Sequence, residues 1–400
     1  MNSKNPLIIL LLLASFASVC AVLYTPALPE IANYLKITDA EAQKSISIFL
    51  IGYALGNLPW GPIANRFGRR SATLMGLGLA SIGILMTLAI KFYPHSWLLN
   101  LGRLITALGA SVGIKIAFTY ISDLYKKEET AGKIAYLMLS FAIAPGLAVA
   151  SGGLLTKFFG WYSCFYATLA YAVLAIFLTL KLPETLQKDH VVPLNSHNII
   201  EGYVMKLKNK SLIKASLIMG CGTTFIYLFA SLAPFIAINE LGLKPESYGF
   251  YNFIPPIGMI LGFYFTQMLQ DRLSSVNQIR LGIVITTTFV TLLSACFALG
   301  YINPLSLFLP MPGIYTGLSL VFANSSSLAI ATCNNKSNDS AMTNFLNMSL
   351  CVASLFIVEA LPYKPSTLLP VVYLLICIGM IGLFLELKND PKIKDFTSKL

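Results

Sequence analysis

Long apolar stretches recur along this chain, and they leave its backbone one kind of structure to adopt. Twelve candidates, centred near residues 17, 55, 82, 109, 144, 172, 225, 258, 288, 316, 350 and 377, carry few or no charges. A helix of about 20 apolar residues crosses a ~30 Å hydrocarbon layer. No water is available there to pair N–H and C=O groups, so each stretch is expected to be helical. Composition agrees: of 400 residues, 56% are hydrophobic and only 11% charged, where a soluble domain carries roughly a quarter charged. The expected fold is an all-α membrane protein of twelve transmembrane helices in two six-helix bundles. The tenth stretch is the least regular, because Pro304, Pro310 and Pro312 interrupt its start.

A net charge of +11 could suggest a nucleic-acid partner, but its distribution does not. With both termini cytoplasmic, only Lys36, Lys44, Lys91, Lys157, Lys244 and Lys364 fall on the outer side, and Arg103 and Lys115 fall within a span. The remaining Lys and Arg are cytoplasmic, as the positive-inside rule requires. The reading is a multi-pass protein of a bacterial inner membrane, in contact with lipid, with no nucleic-acid partner, and a monomer. The start, Met1-Asn-Ser-Lys followed by Leu7 to Ala17, also has the shape of a signal peptide, and Cys20 that of a lipobox end. Losing that span would leave an odd number of helices, and Val19 is large for the residue before a lipobox cysteine. Seven dispersed cysteines without Cys-x-x-Cys spacing imply neither a disulfide framework nor a zinc site. No nucleophile–base set, metal cluster or nucleotide loop stands out, so the chain reads as no enzyme and as needing no cofactor.

The longest polar stretch divides the chain into an N-terminal bundle (1–186), a cytoplasmic loop (187–211) and a C-terminal bundle (212–400). Its tail, Lys206-Leu-Lys-Asn-Lys210, either lies on the anionic inner leaflet or is a solvated linker. Asn65-Arg66 after the second span has a counterpart in Asp271-Arg272 after the eighth. Between the second and third spans lies a triply basic turn, Gly61-Pro-Ile-Ala-Asn-Arg-Phe-Gly-Arg-Arg70. Gly61 and Gly68 permit tight turns where a Cβ would clash, and Arg66, Arg69 and Arg70 hold the turn at the cytoplasmic face. Gly109-x-x-x-Gly113 and Gly258-x-x-x-Gly262 read as helix-packing seams.

Phe49-Leu-Ile-Gly-Tyr-Ala-Leu-Gly-Asn-Leu-Pro-Trp60 and the basic turn that follows closely resemble the loop between helices 2 and 3 of major facilitator transporters. Further matches resemble the bicyclomycin/chloramphenicol-resistance (Bcr/CflA) branch of the drug:proton antiporters. Tyr24-Thr-Pro-Ala-Leu-Pro29 is similar to that branch's Tyr-Leu-Pro-Ala-Leu-Pro. Leu182-Pro-Glu-Thr-Leu186 is similar to its exit from the N-terminal half, and Gly317-Leu-Ser-Leu-Val-Phe-Ala-Asn324 to its Gly-Leu-Gly-Leu-Ile-Phe-Pro-Asn. The resemblance implies two parallel six-helix repeats that export a small organic molecule by alternating access in exchange for protons. It makes Gly61, Asn65, Arg66, Gly68, Arg69 and Arg70 a conformational latch, although Asn65 stands where the family usually has an aspartate. It also makes Ala144-Pro145 with Gly152-Gly153 a helix-bending antiporter motif, in which Val149 replaces a second proline.

Arg103, about six residues into the fourth span, is the leading substrate or coupling residue, because an intramembrane charge usually faces a cavity or a partner. Snorkelling is the plainer account. Lys115, twelve residues on, need not share its face, and it too can snorkel. Tyr24, Asn57, Tyr227 and Asn324 are the uncharged polar candidates. The largest departure from the family is at Val22, which stands where its first span usually carries an acid. The acidic residues lie at helix ends or in loops (Glu30, Asp123, Glu184, Glu240, Asp271 and Glu359 among them), and His95, His190 and His197 are in loops. Two functions therefore stay open: proton-coupled multidrug-type efflux, and a permease for an organic anion or siderophore-like metabolite, importing or exporting, without a buried carboxylate.

Overall fold

All twelve apolar stretches lie on helices in the computed structural model, which describes residues 6–186, 207, 209–270, 272–331 and 336–390. His190, His197, Asp271, Lys206 and nearly all of the 187–211 loop lie outside the described residues. No strand occurs among the described residues. Nine of their helical segments are long and apolar enough to cross a membrane, or ten if one pair bent by 44° counts as a single span. The chain forms two compact units, Met1–Ile199 and Ile200–Leu400.

The first unit begins with α1 (Pro6–Val22), a 3-10 turn at Thr25–Ala27 and α2 (Leu28–Leu35). Pro26 ends α1 four residues earlier, since its ring lacks an N–H and crowds the carbonyl of Val22. Next come α3 (Asp39–Gly56) and α4 (Trp60–Phe67), the bent pair, separated by Asn57-Leu-Pro59. A capping box starts α3: Thr38 accepts from the Glu41 amide, and Glu41 accepts from the Thr38 amide at 2.9 Å, satisfying two end donors at once. Then follow α5 (Arg69–Leu88), α6 (Ser96–Ala110), α7 (Val112–Leu124), α8 (Lys127–Phe159) and α9 (Tyr162–Thr179). Exposed Phe92, Tyr93, Trp97, Phe158 and Phe159 gather where α5 meets α6 and α8 meets α9. Aromatic residues collect in this way at a membrane–water interface.

The second unit holds α10 (Lys210–Pro234), continued by a π-helical turn at Phe235–Glu240, and α11 (Pro245–Tyr251). After these come α12 (Ile254–Leu269), α13 (Ser275–Ala298), α14 (Pro304–Phe308), α15 (Met311–Ala331), α16 (Lys336–Glu359) and α17 (Pro365–Lys388). Pro304 starts α14 at its first position, where a missing N–H costs nothing, so the prolines that made this stretch irregular mark a helix start.

Each unit packs its spans in the same order. In the first, the chief pairs are α5 with α6, α3 with α6, α1 with α8, α1 with α7, and α5 with α9. In the second, alongside α10 with α17, they are α13 with α15, α12 with α15, α10 with α16, α10 with α15, and α13 with α17. Numbered by span within its unit, these are the same five pairings, so the fold is an internal repeat.

Glycine sets the closest of these approaches. A methyl group on Gly109 would collide with the backbone of Gly76 and Ala80 on α5, and one on Gly113 with the carbonyl of Leu13 on α1. Gly258 meets the Pro312 carbonyl and Gly262 the Thr316 carbonyl, both on α15. Both glycine pairs are packing seams, as their spacing suggested. Gly109→Leu should therefore lower the melting temperature in detergent by the equivalent of about 1–3 kcal/mol. Gly78→Leu, which enters open space, should change stability by less than about 0.5 kcal/mol. Equal melting of the two variants would show that the α5–α6 approach does not limit stability.

Candidate functional site

Where α1 stops, its last carbonyls need partners, and side chains supply them. Arg103 on α6 donates from Nη1 to the Cys20 carbonyl at 2.6 Å and from Nη2 to the Ala21 carbonyl at 3.1 Å. Thr25 Oγ1 donates to the Val22 carbonyl at 2.9 Å. The guanidinium lies between the Tyr24 and Phe49 rings, 4.2 Å from each centroid, and Tyr24 shares a 2.7 Å hydrogen bond with Ser45. Arg103 is only 2% exposed. A cation at a helix C-terminus meets the negative end of the macrodipole, and two aromatic faces add cation–π attraction. Carbonyl dipoles and aromatic faces thus stabilise the positive charge, and Val22 is buried. Arg103 is not a snorkelling residue.

A second group joins two interrupted spans. Lys115 on α7 donates to the Asn57 carbonyl at 2.6 Å, at the break between α3 and α4. In return Trp60 on α4 donates from Nε1 to the Leu108 carbonyl at 2.8 Å, beside the break between α6 and α7. Asn57 Nδ2 turns back onto the Tyr53 carbonyl at 2.8 Å, so its amide serves its own helix. Gly61 lies inside α4, not in a tight turn as its sequence context suggested. A methyl group there would press on Lys115 Nζ at 3.1 Å, so the glycine leaves room for the ammonium. Discontinuous helices whose freed carbonyls meet a cation are a recurring feature of transporter binding sites.

The basic turn is organised by an acid from the end of the unit. Glu184 accepts from the Arg69 amide at 2.7 Å and the Arg70 amide at 3.0 Å, which places an anion at the N-terminus of α5. Gly68, with φ of 97°, makes the turn, and the Glu184 carboxylate fills the space its side chain would need. Arg69 pairs with Asp123 at 3.2 Å and donates to the Asn65 carboxamide oxygen at 3.2 Å and the Ala64 carbonyl at 3.1 Å. Thr185 donates to the same Asp123 oxygen at 2.7 Å. Arg66 is exposed, and Arg70 contributes through its backbone.

Pro145 lies within α8, which continues through it without a break. Seven residues on, Gly152 packs against α1, where a methyl group would run into the Leu23 carbonyl; Gly153 is buried beside it. The antiporter-like segment thus meets the same helix end that Arg103 holds. In the second unit, Asn324 is buried and donates to Gln278 at 3.1 Å and to the Leu320 carbonyl at 2.9 Å, tying α15 to α13. Tyr227 is half-buried on α10. The structure therefore brings Arg103 together with Tyr24, and Lys115 with Asn57. Phe49, Ser45, Trp60, Asp123, Thr185 and Gln278 were not foreseen as partners, because no spacing rule links residues tens of positions apart. Glu184 was visible only as part of Leu182-Pro-Glu-Thr-Leu186.

Arg103→Ala should abolish transport while membrane insertion stays near normal. It should also lower the melting temperature by the equivalent of about 2–4 kcal/mol, since two buried carbonyls lose their donors. Arg103→Lys should rescue little, because one ammonium cannot reproduce a bidentate, ring-stacked guanidinium. Full activity in Arg103→Ala would remove the residue from the site. Asn65→Asp should tighten the Arg69 clamp by about 1 kcal/mol, because the contact becomes charge-assisted. Hydrogen exchange at residues 66–72 should then slow about fivefold, and unchanged exchange would count against a clamp at this turn.

Comparison with known proteins agrees with this architecture. A family profile described as Major Facilitator Superfamily matches residues 10–358. A bicyclomycin resistance protein homolog of Haemophilus influenzae is 23% identical over 264 residues, 66% of this chain and 66% of that protein, just under two thirds of its length. Multidrug resistance protein D of Escherichia coli is 24% identical over 274 residues, 68% of each chain. Among solved structures, the xylose transporter XylE from E. coli superposes with a TM-score of 0.74 at 12% identity, covering 95% of both chains, a likeness of fold. With the profile covering most of the sequence and the same helical repeat in both units, the chain belongs to the Major Facilitator Superfamily, and it is a multi-pass membrane transporter.

Proposed function

We propose that this transporter, in a twelve-span arrangement with both termini cytoplasmic in a bacterial inner membrane, exports small organic molecules of the multidrug type by alternating access in exchange for protons. The observation that carries the coupling is Lys115, an ammonium held at 2.6 Å on the Asn57 carbonyl where a broken span exposes it. Arg103 keeps its proton at any relevant pH, whereas a lysine inside a protein can give its proton up. Resemblance to bicyclomycin and multidrug resistance proteins supports the outward direction. The close contact of Gly152 with the end of α1 supports a role for the antiporter-like segment.

Among the described residues, acidic side chains stand at helix ends or in loops, as Glu30, Asp123, Glu184, Glu240 and Glu359 do. Glu359 is buried, but at the end of α16; a permanent cation held mid-span would meet no carboxylate there among the described residues, so the reading favours uncharged substrates. An uncharged substrate binding beside Lys115 strips water from the ammonium and favours its neutral form, so binding should release a proton. The same lack of a mid-span acid among the described residues favours a second reading, a permease for an organic anion, in which substrate stabilises the protonated lysine and binding takes a proton up.

Both readings predict the sign of one measurement. In weakly buffered detergent solution with a pH indicator, bicyclomycin should release protons from the unmodified protein and not from Lys115→Met. Ethidium should have little effect until Val22→Asp supplies a counter-charge. Proton uptake on adding a carboxylate dye, with no response to bicyclomycin, would establish the anion permease instead. A response to bicyclomycin that survives Lys115→Met would place the coupling elsewhere.

A further inference from the structure

The surface of the second unit carries a groove between α13 and α17, about 590 Å³ in volume, lined by Ile283, Val284, Thr288, Ile381 and Leu385, with Arg280 among its walls. The groove is open and apolar. Val284 and Leu385 are each 55% exposed, and their neighbours Leu292, Leu375 and Ile378 are exposed as well. Two of its three threonines add no polarity. Thr288 and Thr291 turn their hydroxyls back onto the carbonyls of Val284 and Thr287, at 2.9 and 2.8 Å, leaving their methyl groups to the groove.

Length and charge say what fits. From Arg280 to Thr291 the α13 wall rises about 16 Å, close to the ~15 Å that one leaflet contributes to the hydrocarbon core. Arg280 stands near the start of α13, at the same membrane face as the end of α17, where Lys388 follows Leu385 by one turn. Arg280 is exposed and makes no ion pair among the described residues, whereas nearby Lys214 already pairs with Glu386 at 3.3 Å. A long side chain so placed can snorkel to headgroup level, where its planar fork matches a phosphate.

We propose that the α13–α17 groove binds one anionic phospholipid, its acyl chain along the apolar wall and its phosphate on Arg280. A leaflet-deep apolar slot with a cation at only one end suits an amphiphile better than a second copy of this chain, for which the arginine would be an unmatched charge. The lipid would tie the two helices together at one end of the unit and leave the residues around Arg103 and Lys115 untouched. The site is independent of what the transporter carries.

Native mass spectrometry of the delipidated full-length protein, titrated with dioleoyl phosphatidylglycerol and separately with dioleoyl phosphatidylethanolamine, tests this. One phosphatidylglycerol should bind about tenfold more tightly than the ethanolamine lipid. Arg280→Gln should remove that preference and Arg280→Lys should keep most of it. Val284→Trp, which fills the groove, should abolish the bound lipid while the protein stays monodisperse with unchanged helix content. Equal binding of the two lipids, or phosphatidylglycerol binding that survives both Arg280→Gln and Val284→Trp, would overturn the proposal. A dimer in the unmodified protein that Val284→Trp dissociates would assign the groove to a second copy and overturn it too.

Discussion

The first unit depends on how broken helices are mended. A helix that stops in hydrocarbon leaves carbonyls which water cannot reach, and each such group costs free energy unless a donor finds it. At the end of α1 the donors are Arg103 and Thr25. At the break between α3 and α4 the donor is Lys115, and at the neighbouring break between α6 and α7 Trp60 takes the same part. The two basic side chains inside the spans therefore first hold the backbone together. Around them glycines let the helices approach: Gly61 beside Lys115, Gly152 against α1, Gly109 against α5.

This arrangement changes how the intramembrane charges are understood. An arginine in a span suggests a charge offered to a substrate, but Arg103 is enclosed by two carbonyls and two rings. A helix end and aromatic faces stabilise its charge from within the same unit. Lys115 differs in kind. Among the described residues its side-chain hydrogen bond is with the backbone of a bent span, so a change in its protonation would act directly on the bend. Structure and chemistry meet there, which is why the proposed coupling is centred on it.

The basic turn shows the same economy at the membrane surface. One acid, Glu184, serves the N-terminus of α5 through two amides, while Asp123 receives Arg69 and Thr185. Asn65 keeps the geometry of an aspartate at the Arg69 contact but not its charge. The turn is therefore held mainly by acids from the far ends of the fourth and sixth spans, and less by Asn65.

Much of the architecture could be read without coordinates. Apolar runs of bilayer length can only be helices, and their number, the basic turn and the Tyr24–Pro29 and Leu182–Leu186 motifs together pointed to a two-bundle transporter. The Gly109–Gly113 and Gly258–Gly262 seams were legible too, since spacing of four places both glycines on one face. Periodicity reports only which residues share a helix face; it does not report which helix lies opposite. Hence Phe49 stacking on Arg103, Trp60 reaching the Leu108 carbonyl, Asn57 offering its carbonyl and not its amide to Lys115, and Gly61 lying inside a helix were decided by tertiary structure alone. The sequence by itself determined that charges sit in the membrane; only the packing of one span against another decided where helices break there and which charge mends which break.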